Sequence, residues 1–387
     1  MRYFKIALFL AAIFAILATL FIRAEGSYAA ALASCGAWRI VKSPNSSFGV
    51  ESLFNGVAVV SSNDAWAVGT SRNQSGFSSH TLTEHWNGSQ WSIISSANPS
   101  SAQNVLVSAA ALTTNNVWSV GETGNSDGTA FQTLVEHWNG TRWNVIPSLN
   151  TSLSFNYLSS VAIVSAKDIW AVGVAMAAGD VSSQTLIEHW NGSQWSIVAS
   201  PNPGSPFNNL RSVTAVSATN VWAVGQYDTS SGFHTLVEHW NGSQWKVVAS
   251  PNPPSREGTL NGVDALTANN IWAVGFTTDM NGFSQTLAEH WNGTTWQLVA
   301  SPNPDPMING LSSLSAASAN NIWAVGIQNV ASKTLIQHWN GTQWQVVASP
   351  NRDGSSNILQ SDAVVPNTSK VWAVGYSGNS TLTEFYC

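Results

Sequence analysis

Short apolar runs of four to eight residues alternate with clusters of Asn, Gly, Ser and Pro along most of the chain. That pattern predicts strands and turns rather than helices. The runs also repeat. "WAVG", or "WSVG" in one case, recurs at Trp66, Trp118, Trp170, Trp222, Trp272, Trp323 and Trp372, at intervals of 49–52 residues. A second motif, "HWNG", starts at His85, His137, His189, His239, His290 and His338, and a further Trp follows three residues after each Gly. In the fifth copy, residues 260–267, 271–276, 286–291 and 294–302 read as four strands. "NG" between the last two fits a tight type I′ hairpin, because both residues tolerate positive φ. Pro302 ends the fourth strand, since it has no N–H for a ladder.

Seven such units of four antiparallel strands predict an all-β chain folded as a seven-bladed β-propeller. The seventh unit stops after "TLTEFYC" at Cys387, one strand short, and "CGAWRIVKSPN" at 35–45 aligns with the missing strand, Trp38 taking the place of Trp245. The N-terminal strand is therefore expected to complete the last blade and close the ring. Cys35 and Cys387 then flank the one hairpin turn that is cut. They are the chain's two cysteines, and a disulfide between them is expected to replace that turn.

Composition removes some functions. With 14 Lys and Arg in 387 residues and a net charge of −6, the chain has no cationic cluster to neutralise phosphates, so no nucleic-acid partner is expected. Arg2 and Lys5 precede an uncharged apolar run from Ile6 to Ile22. Residues 1–34 read as a signal peptide or an N-terminal membrane anchor plus linker, and 35–387 as the propeller. Either reading places the propeller outside the cytoplasm, secreted or held at the cell surface, with membrane contact only through that segment. "ALA" at 31–33 offers a cleavage site, and "LASC" ending at Cys35 offers a lipidation site.

Chemistry is harder to find. Glu and His stand side by side at Glu84–His85, Glu136–His137, Glu188–His189, Glu238–His239 and Glu289–His290, becoming Gln337–His338 and Glu384–Phe385. A catalytic pair is needed once, in one geometry, whereas these are spread around a ring. They read as ties between strands or blades. The 20 Trp all fall on the repeat and read as inter-blade packing. No metal site and no cofactor is called for.

Departures from the repeat are more informative. Arg211, Asp264 and Asp362 interrupt small or neutral residues on first strands, which should line the axis. Arg72, Arg256 and Arg352, and the acids Asp127, Asp180, Asp228 and Asp279, fall on the longer loops of one face; His80 and His234 are the histidines outside the motif. The four Arg and the two first-strand Asp form the candidate ligand site. The leading expectation is a non-catalytic, monomeric binding, adhesion or scaffold propeller for an unknown protein or glycan. The alternative is a glycan-active enzyme, a sialidase-like hydrolase or a lyase, which needs three Arg to converge on one carboxylate.

The "WAVG" strand and the "GxxW" end of each hairpin resemble bacterial BNR-like and kelch-like repeats, and those of photosystem II assembly-factor-like propellers. The resemblance spans residues 35–387 and implies a propeller fold. "HWNGSQW" departs from the sialidase Asp box: it keeps Gly242 and Trp245 but has Trp240 where the Asp belongs.

Overall fold

The computed structural model describes residues 36–74, 78–179, 181–254, 256–329 and 331–387. Cys35, Asp180 and the apolar segment 6–22 lie outside the described residues. The described residues are all-β, and their strands group into seven antiparallel units of four. The first strands are Glu51–Ser61, Gln103–Thr113, Phe155–Ser165, Asn208–Ser217, Glu257–Thr267, Asn309–Ser318 and Asn357–Val364. Unit four shows the plan: Asn208–Ser217, Asn220–Thr229, Gly232–Trp240 and Trp245–Val247 pair in chain order. Units two and three also touch through a single parallel bridge, Phe131 with Phe155.

Unit seven has three consecutive strands of its own, and its fourth is Trp38–Ile40, antiparallel to Ser380–Tyr386. Trp38 faces Tyr386 just as Trp245 faces Trp240. Gly36 N–H donates to the Cys387 carbonyl at 2.7 Å, so residues 36 and 387 meet at the cut turn, and Cys387 is buried there.

Two local expectations need correction. Fourth strands are shorter than the apolar pattern implies: that of unit five is Trp296–Leu298, not 294–302. The "SPN" segment after it turns back instead. Ser301 Oγ lies 2.9 Å from Thr286 Oγ1, and Asn303 Oδ1 accepts the Thr286 N–H at 2.7 Å. These side-chain bonds compete with the ladder and end it before the proline does. The "NG" turn is not type I′ either. Trp240 pairs with Trp245 across a four-residue loop, in which Gly242 has φ 92° and Asn241 Oδ1 accepts the N–H groups of Ser243 and Gln244. The asparagine caps the loop with its side chain and so has no need of positive φ.

Between units the core is aromatic. Trp66 of unit one meets Trp138 and Trp143 of unit two at 4.7 and 5.2 Å between ring centroids. Trp118, Trp170, Trp222 and Trp272 each meet the corresponding pair of the next unit. Trp323 meets Trp38 and Tyr386 of unit seven, and Trp372 of unit seven meets Trp86 and Trp91 of unit one. Each such ring removes about 150–250 Å² from water, so these triads are the main apolar cement between sheets.

One irregularity positions the site. Every first strand is bulged once opposite the glycine of "WAVG"; in unit four the register passes from Leu210–Gly225 to Ser212–Val224, leaving Arg211 unpaired. A Cβ on Gly225 would stand 1.9 Å from the Asn209 carbonyl oxygen, and the other six glycines are as tightly covered. The motif's glycine is therefore the space into which the bulge fits. A bulge re-aims the extra residue's side chain.

Candidate functional site

The seven first strands bound a cavity of about 560 Å³. Each bulged residue lines it: Asn55, Val107, Ser159, Arg211, Asn261, Ser312 and Gln360. Arg211 is the single charge in that ring of seven. A further space of about 390 Å³ shares Val263, Leu314 and Ser361 with the first and is lined by Asp264, Asp362, Thr214 and Ser315. The wall between them is tied across units by serine hydroxyls. Ser160, Ser212, Ser313 and Ser361 Oγ accept the N–H groups of Val213, Val263, Asp362 and Val57 at 3.2–3.3 Å, the last crossing from unit seven to unit one.

Arg211 Nη2 donates to Gln226 Oε1 at 3.3 Å, and Thr259 Oγ1 donates to the same oxygen at 2.6 Å. Its Nε is buried and has no hydrogen-bond partner, and burial pushes the guanidinium's pKa down. None of the ion pairs among the described residues involves it. Glu122 shares the cavity; burial lifts its carboxyl to about 7, against the lowering pull of Arg72. Glu122 belongs to neither repeated motif. The signal was present, since the residue after "WAVG" is Thr70, Val174, Gln226, Phe276, Ile327 or Tyr376 in the other units.

The two first-strand acids line the further space. Asp264 accepts from the N–H groups of Ala265 and Ala316 at 2.8 and 2.9 Å and from Thr214 Oγ1 at 3.4 Å. Asp362 Oδ2 accepts from Ser315 Oγ at 2.5 Å, while its Oδ1 is buried without a partner. Burial, reinforced by the nearby charge of Asp264, raises Asp362 to about 7; burial raises Asp264 as well.

The candidate set thus divides. Arg211 lines one part of the cavity and Asp264 and Asp362 the other, but the remaining arginines stand elsewhere. Arg72 lies 4.0 Å from Glu51 in unit one. Arg256 lies 3.5 Å from Asp279 and donates to the Phe283 carbonyl. Arg352 donates to the Thr381 carbonyl at 3.0 Å. Asp127 and Asp279 each accept N–H groups of their own loops. His80 stacks on Phe48, and His234 lies against Tyr227 and Ser231.

The repeated acid and histidine have separate structural partners. Each histidine ring lies 4.2–4.5 Å from that of its unit's "WAVG" Trp, and its Nε2 meets the residue at the start of the second strand: Asp64, Asn116, Asp168, Asn220, Asn270 or Asn321, at 2.8–3.0 Å. Four of the neighbouring acids bond to the preceding unit, while Glu84 and Glu238 are buried with no hydrogen-bond partner on either oxygen. Glu136 accepts the Ala97 N–H, Glu188 the Leu149 N–H, Glu289 the Ser250 hydroxyl and Glu384 the Ser349 hydroxyl. All six glutamates are fully buried. Desolvation lifts Glu84 to about 9, Glu188 to about 7, and Glu136, Glu238, Glu289 and Glu384 to about 8.

No protein-family model matches this chain, and no curated protein does. Solved structures do. The chain is similar to YCF48 bound to D1 peptide, with a TM-score of 0.54 and 13% identity over 91% of this chain and 96% of that one. It is also similar to YCF48 from Cyanidioschyzon merolae, with a TM-score of 0.55 and 15% identity over 91% and 99% of the two chains. What they share is a fold, the β-propeller. At this identity the likeness speaks for architecture, and the assignment of a role to the cavity rests on the cavity itself.

Proposed function

We propose that this chain is a non-catalytic, extracytoplasmic scaffold propeller that holds a segment of a protein partner at the mouth of its central cavity. The observation that carries the reading is the ring of seven bulged residues, which projects one guanidinium and otherwise neutral side chains into an open space. That is a surface for recognition; it holds no nucleophile paired with a base. The similar YCF48 structure with a bound peptide supports a polypeptide ligand. A sialidase-like clamp has no support, because Arg72, Arg256 and Arg352 do not join Arg211 in lining the cavity.

The reading includes ring closure, with residues 35–387 as the propeller and the N-terminal strand completing the last blade. Its supports are the Trp372 contact with Trp86 and Trp91, the Ser361 bond to Val57, and the pairing of Trp38 with Tyr386. It also includes export or anchoring by residues 1–34, supported by the basic and apolar order of Arg2, Lys5 and residues 6–22. The Cys35–Cys387 disulfide belongs to the same proposal, supported by the 2.7 Å bond between Gly36 and Cys387.

Selection of peptides from a displayed random library against the full-length chain tests the role. Peptides whose photocrosslinks map to the bulged residues support it. Selected peptides that crosslink only to the outer strands would overturn it, as would release of product from glycan substrates.

A further inference from the structure

We infer that the mouth of the cavity is a carboxylate-binding site in which Arg211 takes one carboxylate group of the ligand. The inference rests on the scaffold reading above and names the chemistry that its site recognises.

Burying a charge without a counter-charge is costly, and a guanidinium cannot escape the cost by losing its proton. Arg211 sits in that condition. Its one hydrogen bond goes to a neutral amide oxygen at 3.3 Å, and its Nε is covered and unpartnered. Arg72 and Arg256, by contrast, stand beside Glu51 and Asp279. The chain thus pairs those two loop arginines and leaves the cavity arginine to be paired from outside.

The surroundings restrict what that outside group can be. Gln226 Oε1 is held by Thr259 as well as by Arg211, so Nη2 is fixed, and since Nε is covered while Nη1 is neither bonded nor covered, a ligand meets the guanidinium at its Nη end. A carboxylate meets such an edge with two parallel bonds. A single cation in a cavity whose other bulged residues are neutral matches one negative charge better than a phosphate dianion. Glu122, the other ionisable group of this part of the cavity, is held toward its neutral form by burial, so below about pH 7 it does not repel an entering anion. A volume of about 560 Å³ suits a small organic acid or the last residues of a peptide.

The test uses the full-length chain at pH 6, followed by the Arg211 Nε resonance in ¹⁵N NMR and by calorimetry. The probes are acetate, succinate, inorganic phosphate, tetra-alanine with a free C-terminus, and the same peptide amidated. Acetate, succinate and the free peptide are expected to shift the Nε resonance, and the free peptide to bind at least about tenfold more tightly than the amide, a factor typical of one charge-assisted contact. A free peptide much tighter than acetate identifies a peptide terminus as the source; equal binding identifies a free small acid. Arg211→Gln and Arg211→Lys should both lose the binding, the lysine because it has no fork. Their melting curves, read alongside, show that the fold is intact. Equal affinity for peptide and amide, a preference for phosphate, or unchanged binding by Arg211→Gln would overturn the inference. The scaffold reading fails separately, if selected peptides bind the chain away from the cavity while acetate still shifts Arg211.

Discussion

Two sets of equivalent positions run through the seven units, and they obey the repeat to different degrees. On the third strands the position facing the preceding unit is Glu84, Glu136, Glu188, Glu238, Glu289, Gln337 and Glu384, a set of isosteres. On the first strands the bulged position is Asn55, Val107, Ser159, Arg211, Asn261, Ser312 and Gln360, with nothing in common but backbone geometry. The third-strand side chains are buried against a neighbouring sheet that is itself a copy, so every unit presents the same demand. The bulged side chains face space, and the repeat places no demand on them beyond their direction. Shape is therefore repeated where units touch, and chemistry varies where they do not.

The strongest way to break this comparison is to remove the aromatic cement. Trp222→Ala and Trp372→Ala should each cost about 3–5 kcal/mol, the usual range for a large aromatic truncated in a core. Trp222 joins units four and five, and Trp372 joins units seven and one. Urea denaturation of the two variants measures ring closure directly. Equal losses mean that the seventh interface is as well made as the fourth. A Trp372→Ala loss below about 1 kcal/mol would mean an open ring whose ends merely lie together.

The cut turn comes next. Six units join third and fourth strands through an asparagine-capped loop, and unit seven brings Cys387 and residue 36 together instead. Reduction of the full-length chain, or Cys387→Ser, should lower stability by about 2–4 kcal/mol if a disulfide replaces the loop. Peptide mapping by mass spectrometry without reductant should find Cys35 and Cys387 in one linked fragment, and separate fragments would sink the idea.

Much of this architecture was legible before any coordinates. The count of seven, the four strands per unit and the use of the N-terminal strand all follow from the spacing of "WAVG" and "HWNG" and from one missing hairpin. The bulge was not legible. Its trace is the glycine of "WAVG", which reads as a strand glycine of no particular purpose until the Asn209 carbonyl is found 1.9 Å from where its Cβ would be. Arg211 and the Asp264–Asp362 pair stood out as departures and do line the cavity. Arg72, Arg256 and Arg352 shared a face in sequence terms, but a face that spans several units is too wide for loop membership to imply contact. Glu122 was overlooked because an acid after "WSVG" resembles an ordinary strand end until burial is known.

The acid belt offers a third test, of intermediate size. Gln337 shows what the slot wants: its Oε1 accepts from Ser301 Oγ at 2.7 Å and its Nε2 donates to the Pro302 carbonyl at 2.8 Å. A glutamate can copy both bonds only as a carboxylic acid, with its proton directed at the equivalent carbonyl. Five of the six have the desolvated pKa near 8 or above that this requires, and Glu188 is at about 7. Arg352 is the cation that bears on the belt, lowering Glu384. Since the folded pKa lies above the unfolded one, the folded chain holds the proton more tightly. The stability this provides is fully present below about pH 4.5 and is lost as pH rises toward 8. Melting temperature should fall steadily from pH 5 to pH 8.5. Glu289→Gln should leave stability at pH 5 almost unchanged and raise it by about 1–2 kcal/mol at pH 8.5. Destabilisation by Glu289→Gln at both pH values would show that the slot needs a charge after all.

The smallest effect is expected inside the cavity, where the comparison predicts tolerance. Asp362, raised to about 7 mainly by burial, also binds its proton more tightly when folded, so its contribution too is present at low pH and lost as pH climbs from about 4 to 7. Asp362→Asn keeps an acceptor for Ser315 and removes that titration. It should match the parent chain at pH 5 and exceed it by about 1 kcal/mol or less at pH 8, because water and cavity space soften the cost of the charge. Arg211→Gln should leave stability unchanged or raise it by up to about 1 kcal/mol, since it removes a charge that has no counter-charge and loses only one long hydrogen bond. Calorimetric melts of both variants at pH 5 and pH 8 decide the matter. Losses above about 2 kcal/mol at either position would mean that the cavity wall is part of the scaffold, and that its variation from unit to unit is a packing solution rather than a surface left open for a ligand.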